Sequence, residues 1–297
     1  MTRIVILGDI ITDTIVRPHG PIAPDSDTIA SIDTRPGGSG ANLASWLALL
    51  QGDVHLIARV GNDGPGRMRV EELRAGDVAL HVTADEAAPT GAIVILVESP
   101  TSRSMLTDPG ANRTLDAADI PPALFQPGAW FHHSGYCLVY RPRALELARR
   151  LARQHGMPIS VDPSSAAFIR QMGPDTFLQC TRGSDLLFPN LEEGQILTGL
   201  TDPVEVARAL ARSYREVALK TGAAGAVWAG GRETVRLPAE PAEVVDPTGA
   251  GDAFAAGFLH ARLTGARPDE ALRAGLHLAA QAVTRVGARP SDAAPKR

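Results

Sequence analysis

Apolar and polar positions along this chain switch between two periods. The stretch "RIVILGD", residues 3–9, is a short continuous apolar run ending in Gly-Asp, the pattern of a buried strand. "GANLASWLALLQG", residues 40–52, changes to helical spacing, with Leu43, Leu47 and Leu50 on one side and Gly52 as a stop. "VHLIARVG" returns to a strand, and "GPGRMRVEELRAGD" to a helix with its polar residues facing out. Strands are expected at "AWFHHSG", "PISVDP", "DLLFPN", "EVALKTG" and "GAVWAGG". Helices are expected at "PRALELARRLARQHG", "DPVEVARALARSY", "GDAFAAGFLHARLTG" and "PDEALRAGLHLAAQAVTRVG". Strand-helix alternation of this kind predicts an α/β protein with a mostly parallel sheet covered by helices on both faces.

Two stretches break the alternation. Residues 14–36 are extended, rich in proline and without helical period. Residues 90–107 read as two short strands around a polar turn. Both are expected to form a small β-sheet that projects from the body and covers a site at the carboxyl ends of the main strands. The tail after Arg289 is polar and expected to fray.

Composition narrows the classes. The 297 residues suit one large α/β domain. With 44% hydrophobic and 21% charged residues and a formal net charge of -4, the chain lacks the basic footprint of a nucleic-acid binder. Its two cysteines, Cys137 and Cys180, have no metal-ligand spacing and are expected to be reduced structural thiols. The opening apolar run is too short for a signal segment, and no stretch approaches a membrane span. A cytoplasmic protein without membrane or nucleic-acid partners is the expectation.

The densest chemistry lies in "DPTGAGDAF", residues 246–254. Gly249, Ala250 and Gly251 stand directly before a predicted helix. Unpartnered N–H groups at a helix N-terminus carry partial positive charge and hold anions. Asp252 falls in the first turn beside them, where a carboxylate can accept the proton of a hydroxyl attacking phosphorus. The same residues also suit an ordinary helix start, and the turn alone leaves both readings open.

Other parts of the chain weigh on that choice. "DPTGAGDAFAAGFL" resembles the C-terminal signature of the ribokinase (PfkB) family of carbohydrate kinases, and residues 36–66, "PGGSGANLASWLALLQGDVHLIARVGNDGPG", resemble its N-terminal signature. "DPGANRTL" (108–115) and "PNLEEG" (189–194) match further segments in the same order. The resemblance implies a single domain over 1–297 with a ribokinase-like three-layer α/β/α fold, a Rossmann-like sheet, and a small β-sheet lid formed by about 14–36 and 90–107. It implies ATP-dependent phosphorylation of a hydroxymethyl group on a small sugar or sugar-like substrate.

Roles carry over position by position. Asp252 matches the catalytic base, with Gly249, Ala250 and Gly251 as the anion hole. Gly38, Ser39 and Asn42 match the sugar site, as does Asp13 in "GDIITD". Asn190 matches the nucleotide side, and Glu193 a residue that organises Mg2+ through water. Lys220, Thr221, Gly222 and Gly225 in "LKTGAAG" match the ATP-binding turn, and the helix around Leu276 and Ala280 the adenine wall. Asp246 and Thr248 match a monovalent-cation site, with a need for K+ left open. A homodimer through the lid is also implied.

The chain departs from ribokinases proper at Ser39, where lysine is common, and at "HHSGYC", where an acidic residue is expected. Both departures weaken a claim to ribose. His132 and His133 are neighbours in a strand, point to opposite faces and would not share a metal. Tyr136 either stacks on a substrate ring or packs. Asp162 either touches substrate or holds its loop. Arg35 and Arg103 in the flap are either solvated or meet a phosphate already on the substrate. A nicotinamide dehydrogenase would need G-x-G-x-x-G after the first strand, and a P-loop enzyme G-x-x-x-x-G-K-[ST]; neither is present. A nucleoside kinase of the same family and a non-catalytic sugar- or nucleotide-binding regulator stay as alternatives.

Overall fold

The computed structural model describes residues 2–99 and 102–290. The chain opens with β1 (Arg3–Leu7), β2 (Ile11–Pro18), β3 (Ala30–Gly37), α1 (Ser39–Leu49), β4 (Asp53–Gly61), α2 (Gly64–Ala75) and β5 (Ala79–Asp85). It continues through β6 (Gly91–Ser99), β7 (Ser102–Asp108), β8 (Trp130–Ser134), α3 (Tyr136–Tyr140), α4 (Pro142–Gln154) and β9 (Ile159–Asp162). Then come α5 (Ala166–Met172), α6 (Pro174–Thr181), β10 (Leu186–Leu187), α7 (Leu191–Thr198), α8 (Pro203–Leu210) and β11 (Glu216–Lys220). β12 (Ala226–Gly230), β13 (Glu233–Leu237), α9 (Ala250–Leu263) and α10 (Pro268–Val283) complete it.

Among the described residues the large sheet runs β13-β12-β11-β10-β9-β8-β1-β4-β5. From β11 to β5 every pairing is parallel, and β12 and β13 add on antiparallel. The alternation in β1 shows how the layers form. Ile4 and Ile6 join a core with α1, α9 and α10, while Val5 and Leu7 point into the opposite core with α4. Farther along, Val217 and Leu219 of β11 extend that second face under α8. The central strands thus bury both faces, which is why they read as continuous apolar runs. The fold is the α/β arrangement that the alternation predicts, a mixed sheet between helical layers, with the second, smaller sheet that the resemblance implies.

The smaller sheet runs β3-β2-β6-β7 and takes its strands from the two irregular stretches. It begins earlier than expected, because β2 starts at Ile11 and brings Asp13 into the sheet. β2 and β6 are parallel, with Asp13 paired to Arg35 on one side and Ile93 on the other.

Several expectations change. Leu50 caps α1 instead of continuing it, and α1 is buried nearly all round. α2 does not expose all its polar residues, since Arg69 is buried beside Glu72. "DLLFPN" shrinks to the two residues of β10. β5 and β13 go unforeseen because edge strands are only half buried and lack an apolar run. No helix among the described residues is long and apolar enough to cross a membrane. Cys137 is buried, but Cys180 is exposed, so the structural role falls to Cys137 alone.

Candidate functional site

The residues that follow the carboxyl ends of β1 and β8 face the small sheet across a pocket of about 130 Å³. From the body it is lined by Asp9, Ser39, Asn42, Gly249 and Asp252, and from the small sheet by Ile11, Asp13, Ile93, Ile95 and Met105. One side is therefore rich in carboxylates and amides, the other apolar.

The turn before α9 is tightly built. Asp246 Oδ1 accepts from Thr248 N at 2.9 Å and Thr248 Oγ1 at 2.6 Å, and its Oδ2 accepts from Gly287 N at 3.1 Å. Gly249 adopts φ 77°, and a Cβ there would lie 2.5 Å from Ala288 Cα. Only glycine fits that left-handed position against another backbone. The hydrogen bond from Ala253 N to Gly249 O, 2.9 Å long, starts the helical ladder. The amides of Gly251 and Asp252 precede it and have no intrahelical acceptor.

Asp252 sits on the pocket side of this turn. Its Oδ1 accepts from Ser39 Oγ at 2.8 Å and its Oδ2 from Asn42 Nδ2 at 2.9 Å. Burial pushes its carboxyl up to about 7; the Asn42 and Ser39 bonds pull down against that, and the Asp162 charge adds to the rise. Ser39 and Asn42, expected to face the sugar, thus both hydrogen-bond Asp252. Gly38 caps α1 ahead of them.

Asp13 is buried, and its Oδ1 has no hydrogen-bond partner among the described residues. A Cβ at residue 37 would overlap the Asp13 carboxylate, so Gly37 makes its space. Burial pushes Asp13 up to about 7, with Arg289 pulling the other way. A buried acceptor without a donor, facing a pocket, suits a ligand hydroxyl.

The nucleotide-side candidates lie at β11 and α7. Asn190 and Glu193 form a reciprocal capping box, with Asn190 N donating to Glu193 Oε2 at 2.8 Å and Glu193 N to Asn190 Oδ1 at 2.9 Å. Burial, then the nearby Asp162 charge, pushes Glu193 up to about 7. Lys220 Nζ pairs with Asp162 Oδ2 at 2.6 Å, and a Cβ on Gly251 would lie 3.4 Å from that ammonium. Lys220 therefore stands at the mouth of the α9 turn. Thr221 Oγ1 is buried without a partner, and Gly222 and Gly225 flank the short turn that follows. Leu276 belongs to the core, whereas Val244 and Val245 ahead of α9 are exposed.

The remaining candidates separate. His132 bonds Ser160 Oγ through Nδ1 at 2.8 Å, and His133 lies in the opposite core against Phe131. Burial lowers both, His132 to about 4 and His133 well below its ordinary value. Arg35 pairs with Asp33 at 2.6 Å on the exposed rim of the small sheet. The side chain of Arg103 lies outside the described residues. Tyr136 lines the pocket, stacks on Tyr140 and meets Phe168 edge-on at 5.5 Å.

Two neighbours of the site, Asp9 and Arg289, escape sequence reading. Asp9 lines the pocket while its Oδ1 accepts from Gly40 N at 3.0 Å. Its place in "GDIITD" is a usable signal, but its pairing with the start of α1 is tertiary. Asp162, expected to touch substrate or hold its loop, accepts from Ser164 N at 2.9 Å and pairs with Lys220. Arg289, taken as the edge of a frayed tail, donates to Asn42 Oδ1 at 3.3 Å and Gly37 O at 2.8 Å.

With this geometry in place, known proteins give it a class. Residues 1–296 match the family described as pfkB family carbohydrate kinase, and the chain belongs to that family. It is 32% identical to a fructokinase of Klebsiella pneumoniae over 272 residues, covering 86% of this chain and 83% of that one. It is 30% identical to an ATP-dependent ribose-1-phosphate kinase of Halopiger xanaduensis, covering 99% and 96%. The solved adenosine kinase of Sinorhizobium meliloti superposes with a TM-score of 0.86 at 26% identity, covering 98% and 96%. The chain is an ATP-dependent kinase of sugars or nucleosides.

Proposed function

We propose that this enzyme transfers the terminal phosphoryl group of ATP to a hydroxymethyl group of a small sugar or sugar-like acceptor, with Asp252 as base. The observation that carries this is the Asp252 carboxylate, fixed by two neutral donors beside the amides that open α9. Asp252 takes the proton as the acceptor oxygen attacks phosphorus. The amides of Gly249, Ala250 and Gly251, with Lys220 beside them, stabilise the charge on the migrating group.

Asp13, Gly38, Ser39 and Asn42 position the acceptor. Asn190, Thr221, Gly222 and Gly225 take the nucleotide side. No group of three or more metal-ligating side chains occurs among the described residues. Glu193 would hold Mg2+ through water, and the ion would supply the positive charge that offsets the phosphates. Asp246 and Thr248 form the turn where a monovalent cation such as K+ would sit. The small sheet acts as a lid, formed by the strands within about residues 11–37 and 91–108.

Asp252→Asn is expected to leave ATP binding nearly unchanged and to lower turnover by about 10²-fold or more. Calorimetry with a nonhydrolysed ATP analogue, beside a coupled ADP assay, checks both; turnover near that of the parent enzyme would remove Asp252 from the role. A nucleoside acceptor is the second reading, favoured by the Tyr136–Tyr140–Phe168 cluster at the pocket wall, which offers rings for stacking. An ADP-release screen over pentoses, hexoses, keto-acid sugars, sugar phosphates and nucleosides, with and without K+, decides between them.

A further inference from the structure

The segment after α10 is stitched to three parts of the site. Gly287 N donates to Asp246 in the cation turn, and Ala288 O accepts from Trp46 Nε1 of α1 at 2.9 Å. Arg289 then reaches inward. Its Nη2 donates to Gly37 O, the last residue of β3, at 2.8 Å, and its Nε to Asn42 Oδ1 at 3.3 Å. The side chain is only 8% exposed; the carboxylate it pairs with, Glu72, is 3.9 Å away, and the Asp13 and Asp9 charges act on it without a close ion pair. A buried guanidinium so weakly paired is costly unless its hydrogen bonds do something else.

The chemistry of the three groups fixes their arrangement. Arginine can only donate, and an ionised carboxylate can only accept. Asn42 lies between them, so only one orientation of its amide makes both bonds: Oδ1 toward Arg289 and Nδ2 toward Asp252. Turned over, the amide would set its NH2 against the guanidinium and its carbonyl against the carboxylate, losing both.

We propose that Arg289 is a positioning residue for phosphoryl transfer, locking the Asn42 amide so that it orients Asp252 and tying that arrangement to the root of the small sheet through Gly37. The proposal rests on Asp252 being the base. Asn42 has a second amide hydrogen to offer an acceptor hydroxyl, and the same lock aims it. The charged and titratable groups facing Asp252 are Asp162 at the end of β9, Lys220 at the end of β11 and Tyr136 of α3. None of these touches Arg289, so their effect on the base should survive its loss.

The test compares Arg289→Met, Asn42→Ala and the double variant by kcat, KM and pH profile. Arg289→Met is expected to lower kcat about tenfold with the KM for ATP unchanged, a modest share of what misplaced catalytic groups lose. The acid limb of its kcat profile should move to higher pH, because Asp252 loses a donor to its charged form. Adding Arg289→Met to Asn42→Ala should change kcat by no more than about twofold, since the two act through one bond. Arg289→Lys, which keeps the charge but cannot make both bonds, should fall between, and it carries the same comparison where Arg289→Met is too unstable to assay. An unmoved acid limb, or an equal loss with and without Asn42, would assign Arg289 to folding alone and overturn the proposal. Asp252→Asn, assayed in parallel, separates the failures: if it keeps turnover the base assignment falls, and if it is inactive while Arg289 variants move nothing, only the Arg289 proposal falls.

Discussion

Asp252 is held between opposing influences. Burial raises its affinity for a proton, Asn42 and Ser39 hydrogen-bond its charged form, and the Asp162 and Lys220 charges pull in opposite directions. At about 7, the carboxyl is poised near neutrality, where a base has both the right charge state and some driving force. As the proposed base, Asp252 works ionised, so kcat/KM of the free enzyme should fall as pH drops through about 7. Asp13 and Glu193 are pushed into the same range, so the acid limb should be steeper than a single ionisation wherever they too must be charged. A pH profile of kcat/KM checks this, and a limb near the ordinary carboxylate value of about 4 would count against the buried setting. At this scale the residue types of the site were legible in the sequence. Their mutual contacts were not: Ser39 and Asn42 meet Asp252 from 213 and 210 positions away.

α9 begins as it does because Gly249 turns left-handed against Ala288. Gly249→Ala would force a Cβ into that backbone and strain φ, costing about 2 kcal/mol or more. A lowered Tm together with a drop in kcat is the expected pair of results, since the same distortion moves the amides proposed to bind the phosphoryl group. Loss of stability with kcat intact would separate the turn from catalysis. Elements with strong patterns, such as β1, β4, α4, α9 and α10, were readable because each buries a continuous run or a broad stripe. β5 and β13 were not, because an edge strand buries little and its pattern depends on the neighbour it finds. Arg69 was misread, and Arg289 passed over, for a related reason. A polar residue in a helix or tail looks solvated until the fold places carboxylates and carbonyls around it.

The small sheet sets the expectation for the whole molecule. Its strands pair so that Ile11, Asp13, Ile93 and Ile95 face the pocket, while Val16, Val94 and Leu106 fall on the other face with Ile32. Ile32 and Leu106 are 67% and 65% exposed. An apolar face of this kind suits burial in a two-fold dimer, with each lid covering the other. Sedimentation should show a dimer that Ile32→Glu converts to monomer; a monomer for the parent chain would remove the lid interface.

By itself the sequence determined the layered α/β class, the sites of the long strands and helices, and the chemical types gathered in two glycine-rich signatures. Those depend on local period and on backbone demands that neighbouring residues express. Only the tertiary structure decided that Asp13 lies in a strand of the small sheet, that Lys220 pairs with Asp162 beside the α9 turn, and that Arg289 closes onto Asn42. These arrangements depend on which distant groups share a buried space, where donors must find acceptors, and no local pattern encodes that.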